Sequence, residues 1–151
     1  MTHRSRGRRG ERGAELIEFA FTLPLLLVVL LGIVDFGFMF QRYEVITNAA
    51  REGARVGILP GYAQADVVAR VDQYVAAAGL GPAGTASTTV TPTSVTAGAM
   101  TFDAIQITVS YVHDHVFVGP LMVLVGGGSL GSVTLTSTAT MRTESQAGAG
   151  S

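Results

Sequence analysis

From Phe19 to Val34 no position carries a charge, and past Asp35 the apolar character continues to Phe40. As a helix this 22-residue stretch spans about 33 Å, enough to cross a bilayer core of about 30 Å. Gln41 to Arg55 lacks proline, so the helix is expected to continue beyond the membrane until Gly57, with Pro60-Gly61 close behind as a stop. Unbroken from Ala14 to Val56, it would be about 64 Å long at 1.5 Å per residue. Pro24 removes one backbone hydrogen bond, to the carbonyl of Ala20, which predicts a mild kink inside the span. Ala49, Gly53 and Gly57 fall on one stripe with Ala50 and Ala54 beside it. Small residues at that spacing permit close backbone approach, most simply to the protein's own sheet, or otherwise to another subunit.

The pattern then changes period. Val67, Val68, Val71, Tyr74, Val75 and Ala78 recur at helical spacing and predict a second helix over Ala63–Ala78, ended by Gly79-Leu80-Gly81-Pro82. Ile105, Ile107, Val109 and Tyr111 alternate with Gln106, Thr108 and Ser110, as a strand with one buried face does. Val133, Leu135 and Met141 alternate with threonines in the same way, and a weaker strand is expected around Ser87–Thr91. The predicted fold is α+β: a long N-terminal transmembrane helix running into a small exported head with a second helix and an antiparallel sheet of about three strands. The predicted division is a basic leader over 1–13, a helix over 14–57 spanning the membrane at about 19–40, the head over 58–145 and a disordered tail over 146–151. A ten-residue apolar run from Val116 to Val125, interrupted only by Gly119-Pro120, is too short to span a bilayer. It reads either as a core strand or turn of helix, or as an exposed patch that docks on the membrane or another subunit.

Charge gives the span a direction. Residues 1–12 hold five arginines against Glu11 alone, while the other 139 residues hold five arginines against ten acids. The positive-inside rule keeps the N-terminus in the cytoplasm and exports the C-terminal domain, and the acidic balance of the body argues against nucleic-acid binding. A cleaved secretory signal needs small residues after the apolar stretch. Gly32-Ile33-Val34-Asp35-Phe36-Gly37-Phe38 places large ones there, and Arg8-Arg9 followed by Gly10-Glu11-Arg12 makes a poor twin-arginine signal. At 151 residues, 14% charged against the usual quarter or so and without cysteine, the chain excludes large barrel enzymes, disulfide scaffolds and thiol chemistry.

Three acids, Glu15, Glu18 and Asp35, stand at or inside the span. Asp35, on the face of Arg42 and about 10 Å from it along the axis, is expected to snorkel to the outer interface, since one acid on a single helix offers no proton or ion relay. Glu18 opens the apolar run, and a carboxylate there wants a partner. Either it snorkels and pairs with Arg12, or the chain is cut after Gly13. The cut would make Ala14 a new N-terminus, put Glu18 at mature position five, and remove the arginines that resist extraction from the cytoplasmic face. Glu18 could then partner the new ammonium of its own or a neighbouring subunit.

Gly13 to Phe19, then Leu23-Pro24-Leu25-Leu26-Leu27, then Gly32-Ile33-Val34-Asp35-Phe36-Gly37, then Asn48-Ala49-Ala50-Arg51-Glu52-Gly53-Ala54-Arg55 resemble, in this order and spacing, the TadE-like pseudopilins. The resemblance covers about residues 8–57 and, more loosely, Met141-Arg142-Thr143-Glu144 in the last strand. It implies a minor pilin or pseudopilin of the tight-adherence (Tad) pilus or secretion machinery in the cytoplasmic membrane, with the pilus or cell surface as a further destination. It also implies a prepilin peptidase and other pilin subunits as partners. On this resemblance Gly13 is the last leader residue, Ala14 the mature terminus, Glu18 the assembly carboxylate and Phe19 the aromatic residue after it, with Pro24 among the helix-packing positions. Gly10 offers a rival cut that would put Glu15 at position five, followed by Leu16 instead of an aromatic residue. Glu52 can pair with Arg55 at i+3, either on a solvated helix face or in a subunit contact.

Catalytic patterns do not hold up. Gly127-Gly128-Ser129-Leu130-Gly131 matches a nucleophile elbow, and Gly126, Gly128 and Gly131 match a dinucleotide fingerprint, but neither is followed by the helix its chemistry requires. Both read as a hairpin loop. His113-Asp114-His115 would place two imidazoles on one face of a strand, with no third metal ligand evident nearby. The expectation is a structural protein with no enzymatic activity, no cofactor and no small-molecule substrate. The alternative is an unprocessed single-pass anchor whose exported domain binds another envelope component.

Overall fold

The computed structural model of the protein describes residues 8–82, 84–124, 126 and 132–143. Their order is α1 (Arg8–Gly57), α2 (Gln64–Ala77), β1 (Ser87–Ala97), β2 (Met100–His113), α3 (Val118–Leu124) and β3 (Val133–Arg142), an α+β fold as expected. The tail over 146–151 and the glycine loop over 127–131 lie outside the described residues, as do Arg4 and Arg6 of the leader, Val125 and Glu144.

The described residues form two compact units, one of 8–37 with 115–124 and one of 38–114 with 132–143. The second unit takes in the last part of α1, and the apolar run after β2 falls in the first. The physical reason is burial. Ile46, Ala49, Ala50 and Ala54 of α1 are fully buried and share one core with Val67, Val71 and Val75 of α2, Ile107, Val109 and Tyr111 of β2 and Leu135 of β3.

Local chemistry sets the ends of α2. The Asp66 carboxylate accepts a hydrogen bond from the Ala63 N–H at 2.9 Å, giving one orphan donor an acceptor at the helix start. Gly79, at φ +77°, turns the chain out of the helix while the Leu80 N–H reaches back to the Val75 carbonyl at 3.2 Å, a Schellman closure that only glycine adopts without strain.

The sheet is antiparallel in the order β1-β2-β3. β1 runs past the expected end at Thr91 to Ala97 and carries Pro92 within it. Pro92 is tolerated because β1 is an edge strand, where a missing N–H leaves no neighbour unpaired. A two-residue connection between Ala97 and Met100 begins with Gly98 at φ +65°, the backbone such hairpin turns demand of their first residue. Ile105, Ile107, Val109, Tyr111 and His113 point to the helices. Thr108 and Ser110 point away, meeting Thr138 and Thr136 of β3 at 3.2 and 3.1 Å.

In the other unit the apolar residues of α1 are exposed, from Leu16 and Phe19 through Leu30 to Phe36. The apolar run forms a short helix, with Val116, Phe117 and Val123 exposed and Val118 and Leu121 half-buried.

Candidate functional site

The candidate site is α1 itself, which presents two different surfaces. In its N-terminal part a Cβ at Gly13, Gly32 or Gly37 would meet open space. Ala14, Glu15, Leu16, Ile17 and Glu18 are exposed, Phe19 is 61% exposed, and Pro24 sits exposed inside an otherwise continuous helix. The Glu18 carbonyl accepts a hydrogen bond from the Thr22 hydroxyl at 2.8 Å, while the carboxylate stands on the exposed surface at the start of the apolar stretch. Its suggested pairing with Arg12 involves a side chain outside the described residues. Among the described residues α1 is the one helix long and apolar enough to cross a membrane, and none of its apolar window is buried. The helix anchors the protein in a membrane.

In the C-terminal part the small residues bring α1 onto its own head. A Cβ at Gly53 would come within 2.6 Å of Val71 Cγ2 and 3.3 Å of Ile107 Cγ2, and one at Gly57 within 2.8 Å of Ile105 Cδ1. Ala49 is fully buried on the same stripe. The stripe that could have served a subunit contact is occupied by α2 and β2.

Glu52 is the focus of charge on this part of the helix. Arg55 grips it with two hydrogen bonds at 2.8 and 2.9 Å, and Arg70 of α2 adds two at 2.9 and 3.1 Å. The Arg55 bonds first, then those of Arg70, hold the Glu52 carboxyl down at about 2 against an opposing cost of burial. The Arg55 guanidinium is correspondingly pushed up by Glu52. Spacing along the helix pointed to Arg55 but not to Arg70, which sits 18 residues away. An open groove of about 600 Å³ runs beside this cluster, lined also by Leu59, Tyr62 and Gln73. With one carboxylate between two guanidinium groups, the cluster carries a net positive charge beside the groove, which Asp66 also lines.

Two polar residues take roles the sequence did not suggest. Asp35 does not snorkel: it is 2% exposed, and its carboxylate accepts hydrogen bonds from the N–H groups of Val116 (3.1 Å), Phe117 (3.0 Å) and Val118 (2.7 Å). These are donors at the start of α3 that have no acceptor within the helix. His113 is fully buried and Arg42 approaches its Nδ1. Because a guanidinium can only donate, Nδ1 is the acceptor in this pair. The Arg42 guanidinium also lies 5.9 Å from the centre of the Tyr111 ring.

β2 ends at His113, so the strand spacing that would place both imidazoles on one face does not reach His115. Among the described residues no three His, Cys, Asp or Glu side chains gather as metal ligands would.

Residues 13–55 match the family described as TadE-like protein. The match begins at Gly13, runs through the exposed and the buried parts of α1, and stops before α2. No curated protein and no solved structure matches the chain.

Proposed function

We propose that the protein is a TadE-like pilus component, a minor pilin or pseudopilin of the Tad pilus or secretion machinery, whose work is structural rather than enzymatic. The observation that carries this reading is the unburied apolar surface of α1 from Leu16 to Phe36, with Glu18 and the Gly13-Ala14 bond exposed at its start. In a bilayer that surface is covered by lipid. Once the helix leaves the bilayer, only other apolar helices can cover it, and each large side chain then reburied stabilises the assembly by roughly 1.5–3 kcal/mol. A helix so built can exchange a membrane for a helical bundle.

Cutting by a prepilin peptidase after Gly13 supplies the remaining chemistry. It removes the arginine leader, which would otherwise have to leave the cytoplasmic side with the helix. It also places the Ala14 ammonium near the Glu18 carboxylate of the same or a neighbouring subunit. In an apolar surrounding each charge gives the other a partner that lipid cannot. The N-terminus then lies at the cytoplasmic face of the inner membrane and the head outside it.

N-terminal sequencing and intact mass of the protein from its native membrane test this reading. A start at Ala14 is expected. A start at Glu11 would move the cut to Gly10 and the assembly role to Glu15. An intact leader would overturn processing and leave a permanent anchor whose head binds another envelope component.

A further inference from the structure

Residues 116–124 are apolar except for Gly119 and Pro120, yet much of their described surface is uncovered: Val116 is 47%, Phe117 38% and Val123 59% exposed. Their attachment is also unusual, because the carboxylate that caps α3 comes from the apolar stretch of α1. Asp35 follows Glu18 by 17 residues, which places it about 25 Å farther along the helix at 1.5 Å per residue. That height lies within a hydrocarbon core of about 30 Å. Its helical neighbours Ile33, Val34 and Phe36 are themselves exposed and apolar.

We infer that residues 116–124 are a second membrane-inserted element, held in the outer leaflet against the transmembrane helix, with acyl chains as the occupant of their exposed face. Backbone enters hydrocarbon only where its polar groups are satisfied, and most of the donors at the start of this segment have a partner. The N–H groups of Val116, Phe117 and Val118 go to Asp35, Pro120 has no N–H to satisfy, and the Leu121 N–H goes to the Phe117 carbonyl at 3.2 Å. The arrangement satisfies Asp35 as well, since an acid at this depth needs a donor set. α3 is therefore continuous with the lipid-facing surface of the span. The inference rests on the membrane span alone and not on leader processing.

The chain has no tryptophan, so a single tryptophan reports from one position. Full-length Val123→Trp protein is reconstituted in phosphatidylcholine nanodiscs, with and without bromine on the acyl chains. Blue-shifted emission that mid-chain bromines quench by roughly two-fold is expected, as for an apolar face buried 5–10 Å into the leaflet. Leu27→Trp in the span should be quenched likewise, and Thr138→Trp on the polar sheet face should not. Adding Asp35→Ala should bring Val123→Trp down to the Thr138→Trp level while leaving Leu27→Trp quenched, which keeps loss of the anchor distinct from loss of insertion. Red emission without quenching at position 123 would place the segment in water. Blue emission without quenching would place it against protein, as another subunit's contact. Either result overturns the inference, and unchanged quenching with Asp35→Ala overturns the role of Asp35.

Discussion

Glu52 and Gly53 are sequence neighbours that answer to different forces. The Glu52 carboxyl is held at about 2, below the ordinary 4.5, by Arg55 and Arg70. Its contribution to stability is therefore complete above about pH 4.5 and is lost as the pH falls from there towards 2. Both arginines are well exposed, and solvent screening reduces the contribution to about 1 kcal/mol or less. Unfolding of the full chain in nanodiscs should lose that increment across this window, and the Glu52→Gln protein should not. At Gly53 the force is steric. Alanine is the better helix former by about 1 kcal/mol, but its Cβ would sit 2.6 Å from a methyl of the buried, β-branched Val71. Overpacking of this kind costs about 1–3 kcal/mol, so Gly53→Ala is expected to lower the unfolding midpoint. Gly37→Ala, which faces open space, should not lower it. The Glu52–Arg55 pair is readable from i+3 spacing, and the need for small residues at 49, 53 and 57 from their common stripe. Arg70 as the second partner is not readable, because it comes from another helix.

At the scale of elements, α1 is one helix with two kinds of neighbour. The apolar period ends where the small residues begin, and the exposed half is free of the head's core. On the proposed pilus role, replacing Glu18 with glutamine should leave insertion and head folding intact while reducing the protein recovered with sheared pili. A loss of one ion pair worth ~1.4 kcal/mol corresponds to about tenfold, and immunoblotting of the sheared fraction reads it. Normal recovery would remove Glu18 from the assembly role. β1 and α3 show why some elements were harder to read. Pro92 marks a break in any strand pattern, yet an edge position makes it harmless. A nine-residue apolar stretch such as 116–124 has the composition of a core element and of a membrane-facing one alike, and only its burial tells them apart.

Over the whole molecule, the arginine-rich start carries the proposed N-in orientation across a bilayer. The chain has no cysteine, so single cysteines map that orientation cleanly. In intact cells, Thr138→Cys should react with a membrane-impermeant maleimide once the outer envelope is opened, and Ser5→Cys in an uncleaved Gly13→Ala chain should react only after lysis. The reverse pattern would overturn the N-in arrangement.

Neighbouring residues decide among themselves the apolar span, the stop near Gly57, α2 with its glycine closure, and the alternation of β2 and β3. Each leaves a period of two or of 3.6 residues, or a turn residue, in the chain. Only the tertiary structure decided what those elements meet. Arg70 joins Glu52 from 18 residues away, Arg42 reaches His113 across 71, and Asp35 caps a helix start 81 to 83 residues on. Pairings at such separations arise when whole elements pack, and they leave no periodic trace in either partner's local sequence.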